Sequence, residues 1–196
     1  MDSGAFTEVS KFGGYRRSVR EYAREANRWD GCGTMMAIVS QDYMCEPFIL
    51  KKTGMTVREH QQLTIDRYLR LIEYDLPAPV MPVIQGYTKD DYLFHLDQYD
   101  DLLEPGQWVG IGSVCKRNSK PEQVHQILKS IKDERPDIRL HGFGLKYTAL
   151  GHRPIIRLLH SSDSMAWSFA ARYEGRNQND WREAKRYVAK VENFIS

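Results

Sequence analysis

The 196-residue sequence predicts an α/β fold built on parallel strands and organised as one domain, residues 1–196. Two observations carry this. Short apolar runs rich in β-branched residues recur along the chain, and each ends on a polar residue or a glycine. Between them lie stretches of helical period with marked starts. Strands that alternate with helices return to the same end of a sheet, so they pair in parallel.

In chain order, "DSGAF" (2–6) reads as the end of a strand that terminates at Asp2. Ser18 and Glu21 form a capping box ahead of Val19, Tyr22, Ala26 and Trp29. In such a box the hydroxyl takes a free helical N–H while the glutamate reaches back. "TMMAIVSQD" (34–42) is a strand ending at Asp42, and Thr56 with Glu59 caps the helix carrying Val57, Ile65, Tyr68, Leu69 and Ile72. "APVMPVIQG" (78–86) ends at Gln85 and Gly86, followed by a weaker box, Thr88 with Asp91, before Leu93, Leu96 and Tyr99. "QWVGIGS" (107–113) ends at Gly112 and Ser113. Ser119, Glu122 and Pro121 then announce a helix with Val124, Ile127, Leu128 and Ile131. "DIRLHGFG" (137–144) ends at His141 and Gly142, and "PIIRLLHSSD" (154–163) reads as a strand ending at Asp163. A last helix over 180–195 shows Trp181, Ala184, Val188 and Val191 on one side. Counting Asp2, six strand ends are present. A closed barrel of this kind has eight strands, and an open doubly wound sheet is the competing arrangement.

Composition narrows the class. Hydrophobic residues are 41% and charged residues 28% of the chain. No apolar run reaches the ~18 residues of a membrane span. A formal net charge of +2 means that a nucleic-acid partner must be met by local patches. Three cysteines (Cys32, Cys45, Cys115) without paired spacing fit reduced thiols, and no leader precedes Asp2, so a cytoplasmic setting is expected.

Ligands of parallel α/β folds bind at the carboxyl ends of the strands. There this sequence places Asp2, Asp42, Gln85, Ser113, His141 and Asp163, accompanied by Gly4, Gly86, Gly112 and Gly142. Any one of these is ordinary turn chemistry. All six together describe a polar face with carboxylates, an amide, a hydroxyl and an imidazole.

These residues resemble a known family. Asp2-Ser3-Gly4-Ala5-Phe6 is similar to the D-S-G-G-F/Y opening of the tRNA-guanine transglycosylase (queuine tRNA-ribosyltransferase) superfamily. "SQDYMCEPF" places its purine-binding aspartate at Asp42, "VIQG" matches its V-Q-G, Ile111-Gly112-Ser113-Val114 its I-G-G-L turn and "HGFG" its M-G-V-G turn. "DSMAWSFAAR" (163–172) resembles its nucleophile motif D-x-x-x-P-T-R-x-A-R, with Trp167-Ser168-Phe169 in place of Pro-Thr-Arg. "QDYMCEPF", "GSVCKR", "LHGFGLK" and "SSDSMAWS", in that order, are similar to the DpdA-like branch that inserts 7-deazaguanines into DNA.

The resemblance implies a TIM-type (β/α) barrel, incomplete at the N-terminus with about six of eight strands, which invites a partner such as a second copy of the chain. It implies exchange of guanine for a 7-deazaguanine such as preQ0 in DNA, through a covalent aspartyl-nucleoside. Asp163 is then the nucleophile and Asp2 the general acid and base. Asp42, Gln85, Gly86 and the Gly112–Ser113 turn would read the base, with Phe6, His141 and Gly142 or Phe143 against its faces. Lys116 and Arg117 follow the Gly112 turn, Arg16 follows the Asp2 turn and Arg172 follows the nucleophile; these are the candidate phosphate contacts. The zinc site of the tRNA enzymes, Cys-x-Cys-x-x-Cys with a later His, has no counterpart after Asp163. No metal and no cofactor are therefore expected, and His60, His95 and His125 are read as surface or packing residues. Competing readings are exchange on tRNA, a non-catalytic module that keeps the purine pocket, and an unrelated barrel enzyme using Lys146 or His141 as base.

Overall fold

The computed structural model describes residues 1–195. Its helices are α1 (Ala5–Phe12), α2 (Val19–Trp29), α3 (Pro47–Thr53), α4 (Val57–Ile72), α5 (Lys89–Gln98), α6 (Pro121–Glu134), α7 (Tyr147–Leu150), α8 (Arg153–Leu158), α9 (Ala166–Tyr173) and α10 (Trp181–Ile195). Its strands are β1 (Ile38–Val39), β2 (Val80–Met81), β3 (Val83–Ile84), β4 (Trp108–Ile111), β5 (Arg139–Gly142) and β6 (Leu159–Ser162). All ladders are parallel: β1 pairs with β2, and β3-β4-β5-β6 form a second sheet in that order. The class read from the sequence is thus observed.

The run at 78–86 is divided by Pro82. With no N–H to give, Pro82 separates the residues that pair with β1 from those that pair with β4. Its carbonyl still accepts from Gly110 N–H (2.8 Å), so 80–84 runs between β1 and β4. Met1 extends the β1 side: its backbone nitrogen donates to Ala37 O (2.6 Å), and its carbonyl accepts from Val39 N–H (3.0 Å). Asp2 therefore leaves a paired backbone position beside β1.

Strands β1, β3 and β4 are covered on both faces, as parallel strands between helices are, and β6 at the edge is partly exposed. Ile84, Val109, Ile111 and Leu140 face outward into a core with Tyr92, Tyr99, Val124, Leu128 and Ile131. Ile38 meets Tyr22, Ala23 and Ala26 of α2. The opposite face is a smaller cluster of Ala37, Val39, Met81 and Val83, flanked by Trp108 and Phe143. It walls the interior hollow.

Several local readings are corrected. Residues 154–158 are helical and only Leu159–Ser162 is strand; Pro154 sits in the first turn of α8, where its missing N–H costs nothing. The Ser119–Glu122 box does not form, because Pro121 starts α6 behind Lys120, which donates no side-chain cap. The boxes at Ser18, Thr56 and Thr88 all form with both bonds. In α10 Trp181 and Val188 are exposed, and Val191 and Ile195 are the side chains packed on the core. Trp29 is exposed at the end of α2. Helices α1, α3 and α9 carry no marked start that the sequence reading used. Among the described residues no helix is long and apolar enough to cross a membrane.

Candidate active site

Asp2, Asp42, Gln85, Gly112, Ser113, Lys116 and Asp163 line one cavity of about 620 Å³ at the carboxyl ends of the strands. That lies within the ~300–1,000 Å³ usual for small-ligand sites. Phe6 and Phe169 stand on its wall, as do Phe143, Glu46 and Lys146. Asp2, Val39, Phe143 and Asp163 also border a second hollow of about 610 Å³ between the strands, lined by Met35, Met81, Trp108 and His141.

The deep end is a connected set of buried polar groups. Asp42 Oδ1 accepts from Ser3 Oγ (3.1 Å), and Oδ2 accepts from Gln85 Nε2 (2.5 Å). Gln85 Oε1 is 2.7 Å from Ser113 Oγ, which also lies 2.9 Å from Glu46 Oε2 and accepts from Cys45 N–H (2.8 Å). Burial pushes the Asp42 carboxyl up to about 7, and the nearby Asp2 charge adds to it; the Gln85 and Ser3 hydrogen bonds oppose the shift.

Local sequence explains the placement. Gly112 follows β4, and a Cβ there would stand 2.1–2.7 Å from the Gln85 amide, so only glycine lets Gln85 lie across the strand end. Ser113 adopts φ +54°, a left-handed turn that aims its hydroxyl back at Gln85. Helix α4 holds the rest: Gln61 Nε2 donates to Gln85 O (2.7 Å) and Asp91 O (2.8 Å). Thr64 Oγ1 accepts from Tyr43 N–H (2.9 Å), and His60 Nδ1 bonds Met44 O (2.6 Å). Tyr15 Oη lies 3.1 Å from both Ser3 Oγ and Asp42 O, fixing the two segments to each other.

Asp163 sits just after β6 with its side chain half exposed. Its Oδ1 accepts from Gly144 N–H (2.8 Å) and lies 3.4 Å from His141 Nε2. Burial alone would raise this carboxyl, but the His141 and Gly144 hydrogen bonds outweigh it, and the net shift is below the usual carboxylate range. His141 is itself set by Ser161 Oγ at its Nδ1 (2.9 Å), with Phe143 against its ring edge (4.7 Å between centroids).

Other expected residues take different places. Gly86 is outside the cavity, where a Cβ would meet Tyr92 and Asp91, and Gly142 packs against Leu145 and Leu159. Both let the neighbouring elements pack closely. The Gly112 N–H donates to Ile84 O (3.0 Å) and its carbonyl accepts from Tyr92 Oη (2.8 Å), so its backbone is committed to the fold. His141 borders the interior hollow and touches Asp163, and Phe143, not His141, lies on the wall of the main cavity. Arg16 grips Glu8 with its backbone N–H, Nε and Nη2 (3.1, 3.2 and 2.8 Å), and holds that carboxyl down to about 2. Arg117 donates to Tyr87 O and stacks on the Tyr87 ring. Arg172 is exposed on α9. Lys116 alone of the four faces the cavity, with its Nζ 5.0 Å above the Phe6 ring. Sequence reasoning missed Glu46 as a wall residue and weighed Lys146 only as the base of an unrelated enzyme; it also missed Ser3, Tyr15, His60 and Gln61, which support the wall from behind.

A family model described as "DpdA: DeoxyPurine in DNA protein A" matches residues 1–179, and the chain belongs to that family. No curated protein matches the chain.

Proposed function

We propose that this member of the DpdA family exchanges a guanine in DNA for a 7-deazaguanine such as preQ0, through a covalent bond between Asp163 and the nucleotide. Family membership supports a role in deoxypurine modification of DNA. The observation that carries the finer reading is that Asp2 and Asp163, far apart in the chain, line one cavity with the Asp42–Gln85–Ser113 set. The strand order from Met1 through β6 is read as an arc of a (β/α) barrel, which supports a site at the strand carboxyl ends.

The chemistry follows from the geometry. Asp163 is held ionised, as a nucleophile must be. Its carboxylate attacks C1′; the C1′–O bond forms as the C1′–N9 bond breaks, and the bonding pair goes to the departing guanine. Asp2 gives the leaving base a proton. In the second half Asp2 takes the proton of the incoming base, whose N9 attacks C1′ and releases Asp163. Two displacements on one carbon retain configuration. Asp42 accepts from the base N1–H and amino group once ionised, and Gln85 and Ser113 present the amide and hydroxyl that complete the base edge. Phe6 and Phe143 supply apolar surface for its flat faces. Lys116 meets the phosphate of the extruded nucleotide.

The test is incorporation of labelled guanine or preQ0 into DNA by the purified protein. Incorporation is expected from the native chain, with Asp163→Ala silent and Asp2→Ala reduced ~10²–10⁴-fold, the usual worth of a general acid–base. Incorporation by Asp163→Ala at the native rate contradicts the proposal. Purine binding without incorporation by the native chain would make it a non-catalytic reader of the same base.

A further inference from the structure

Glu122 and His125 stand one turn apart at the start of α6, and His152 precedes α8, which packs on the same helix. Glu122 is exposed and the two histidines are half-buried, and one ligand atom from each lies within 4.8 Å of the others. His152 Nε2 is 3.5 Å from Glu122 Oε1, and the two imidazole rings meet edge to face at 5.6 Å. The 3.5 Å between His152 Nε2 and Glu122 Oε1 is close to the edge of a tetrahedron around zinc, where ligands at ~2.0–2.1 Å from the ion stand roughly 3.4 Å apart. His152 Nε2 is also shut off from solvent without a hydrogen-bond partner. A buried, unsatisfied imidazole nitrogen is costly, and a metal ion satisfies it by accepting the nitrogen lone pair.

We propose that Glu122, His125 and His152 bind one divalent transition cation of the zinc class, with water at the fourth position. This reverses the expectation from sequence that His125 has no metal role: His152 lies far along the chain, and the fold brings it to the Glu122–His125 pair. The site is separate from the cavity and does not depend on the transglycosylase reading. Its place gives it a structural purpose. Asn118, just before α6, donates to Gly144 O (3.1 Å) and accepts from Lys146 N–H (2.6 Å), and the Gly144 N–H holds Asp163. A cation joining α6 to the α7–α8 turn braces this connection.

The experiment is a titration of tag-free, chelator-stripped protein with Zn²⁺ and, separately, Co²⁺. One equivalent of Zn²⁺ is expected, with a rise in Tm and a Co²⁺ absorption spectrum of tetrahedral type. His125→Ala, His152→Ala and Glu122→Ala should each weaken binding by more than the ~10–100-fold that losing an outer partner costs. His160→Ala, an exposed histidine elsewhere, should bind as the native chain does. Exposed Glu122 serves if a histidine variant fails to fold. No bound equivalent in the native protein, or binding by His125→Ala and Glu122→Ala as tight as the native chain's, overturns the site; in that case Glu122 and His152 form a plain ion pair.

Discussion

Asp42 is the residue whose chemistry is set most completely by its surroundings. It is buried, flanked by the Asp2 charge, and raised to about 7. A carboxyl with a raised folded-state value holds its proton over a range where the unfolded chain has lost it. Its contribution to stability is therefore full below about pH 4 and is lost as the pH rises through about 7. Asp42→Asn should flatten that part of the stability profile, by up to about 4 kcal/mol at 1.36 kcal/mol per unit; denaturant midpoints at pH 4 and pH 8 measure it. The same ionisation should govern the base. Affinity for free guanine should rise with pH through about 7 in the native chain and not in Asp42→Asn, as read by calorimetry. An affinity that is flat across this range would remove Asp42 from base recognition. Both aspartates were legible in the sequence, since Asp42 closes a buried apolar run and Asp2 opens the Ser3-Gly4 turn. Ser3, Tyr15 and Glu46 were not. Each acts through a partner distant in sequence, as Glu46 does through Ser113, and nothing in the local pattern marks such a pair.

At the scale of elements, the turn after β4 does the most. Gly112 leaves room for Gln85, and Ser113 bends back to hold it. Gly112→Ala should displace Gln85 from Asp42, destabilise the fold by about 1–3 kcal/mol as overpacking does, and weaken base binding more than Tm alone explains. Base binding unchanged beside a lowered Tm would assign Gly112 to packing only. Helix α4 supports the same place from behind through Gln61, Thr64 and His60. Gln61→Leu should leave the buried Gln85 carbonyl and the half-buried Asp91 carbonyl short of a donor, at about 1–3 kcal/mol, visible as a lower denaturation midpoint. Elements with a hydroxyl–glutamate or hydroxyl–aspartate box were readable at their starts. The error at 154–158 has a physical source: Pro-Ile-Ile-Arg-Leu-Leu is apolar at both periods, and Pro154 fits the first turn of a helix as well as the start of a strand. In α10, the expected face holds at Val191, which packs on the core with Ile195, and fails at Trp181 and Val188, which are exposed.

Over the whole molecule, parallel strands bring residues from both ends of the chain to one surface, and positive groups are sorted there by what already holds them. Arg16 is taken by Glu8 and Arg117 by Tyr87, whereas Lys116 stands over the cavity beside Phe6. DNA affinity should therefore fall with salt, and Lys116→Ala should lower the slope of log K against log salt by about 1, while Arg16→Ala leaves it in place. A slope that responds equally to both would mean that DNA crosses another face. These cations could not be ranked from the sequence, because each follows a strand end in the same way, and only their partners in space separate them. The central claim is that Asp163 attacks the sugar while Asp2 serves the base across one cavity. Its most direct measurement is the mass of the protein after reaction with DNA is stopped by denaturation, with the modified peptide mapped. The account predicts a nucleotide-bearing adduct on Asp163 that is absent from Asp163→Ala and discharged by added preQ0; an adduct on another residue, or exchange that proceeds with no adduct at Asp163, would contradict it.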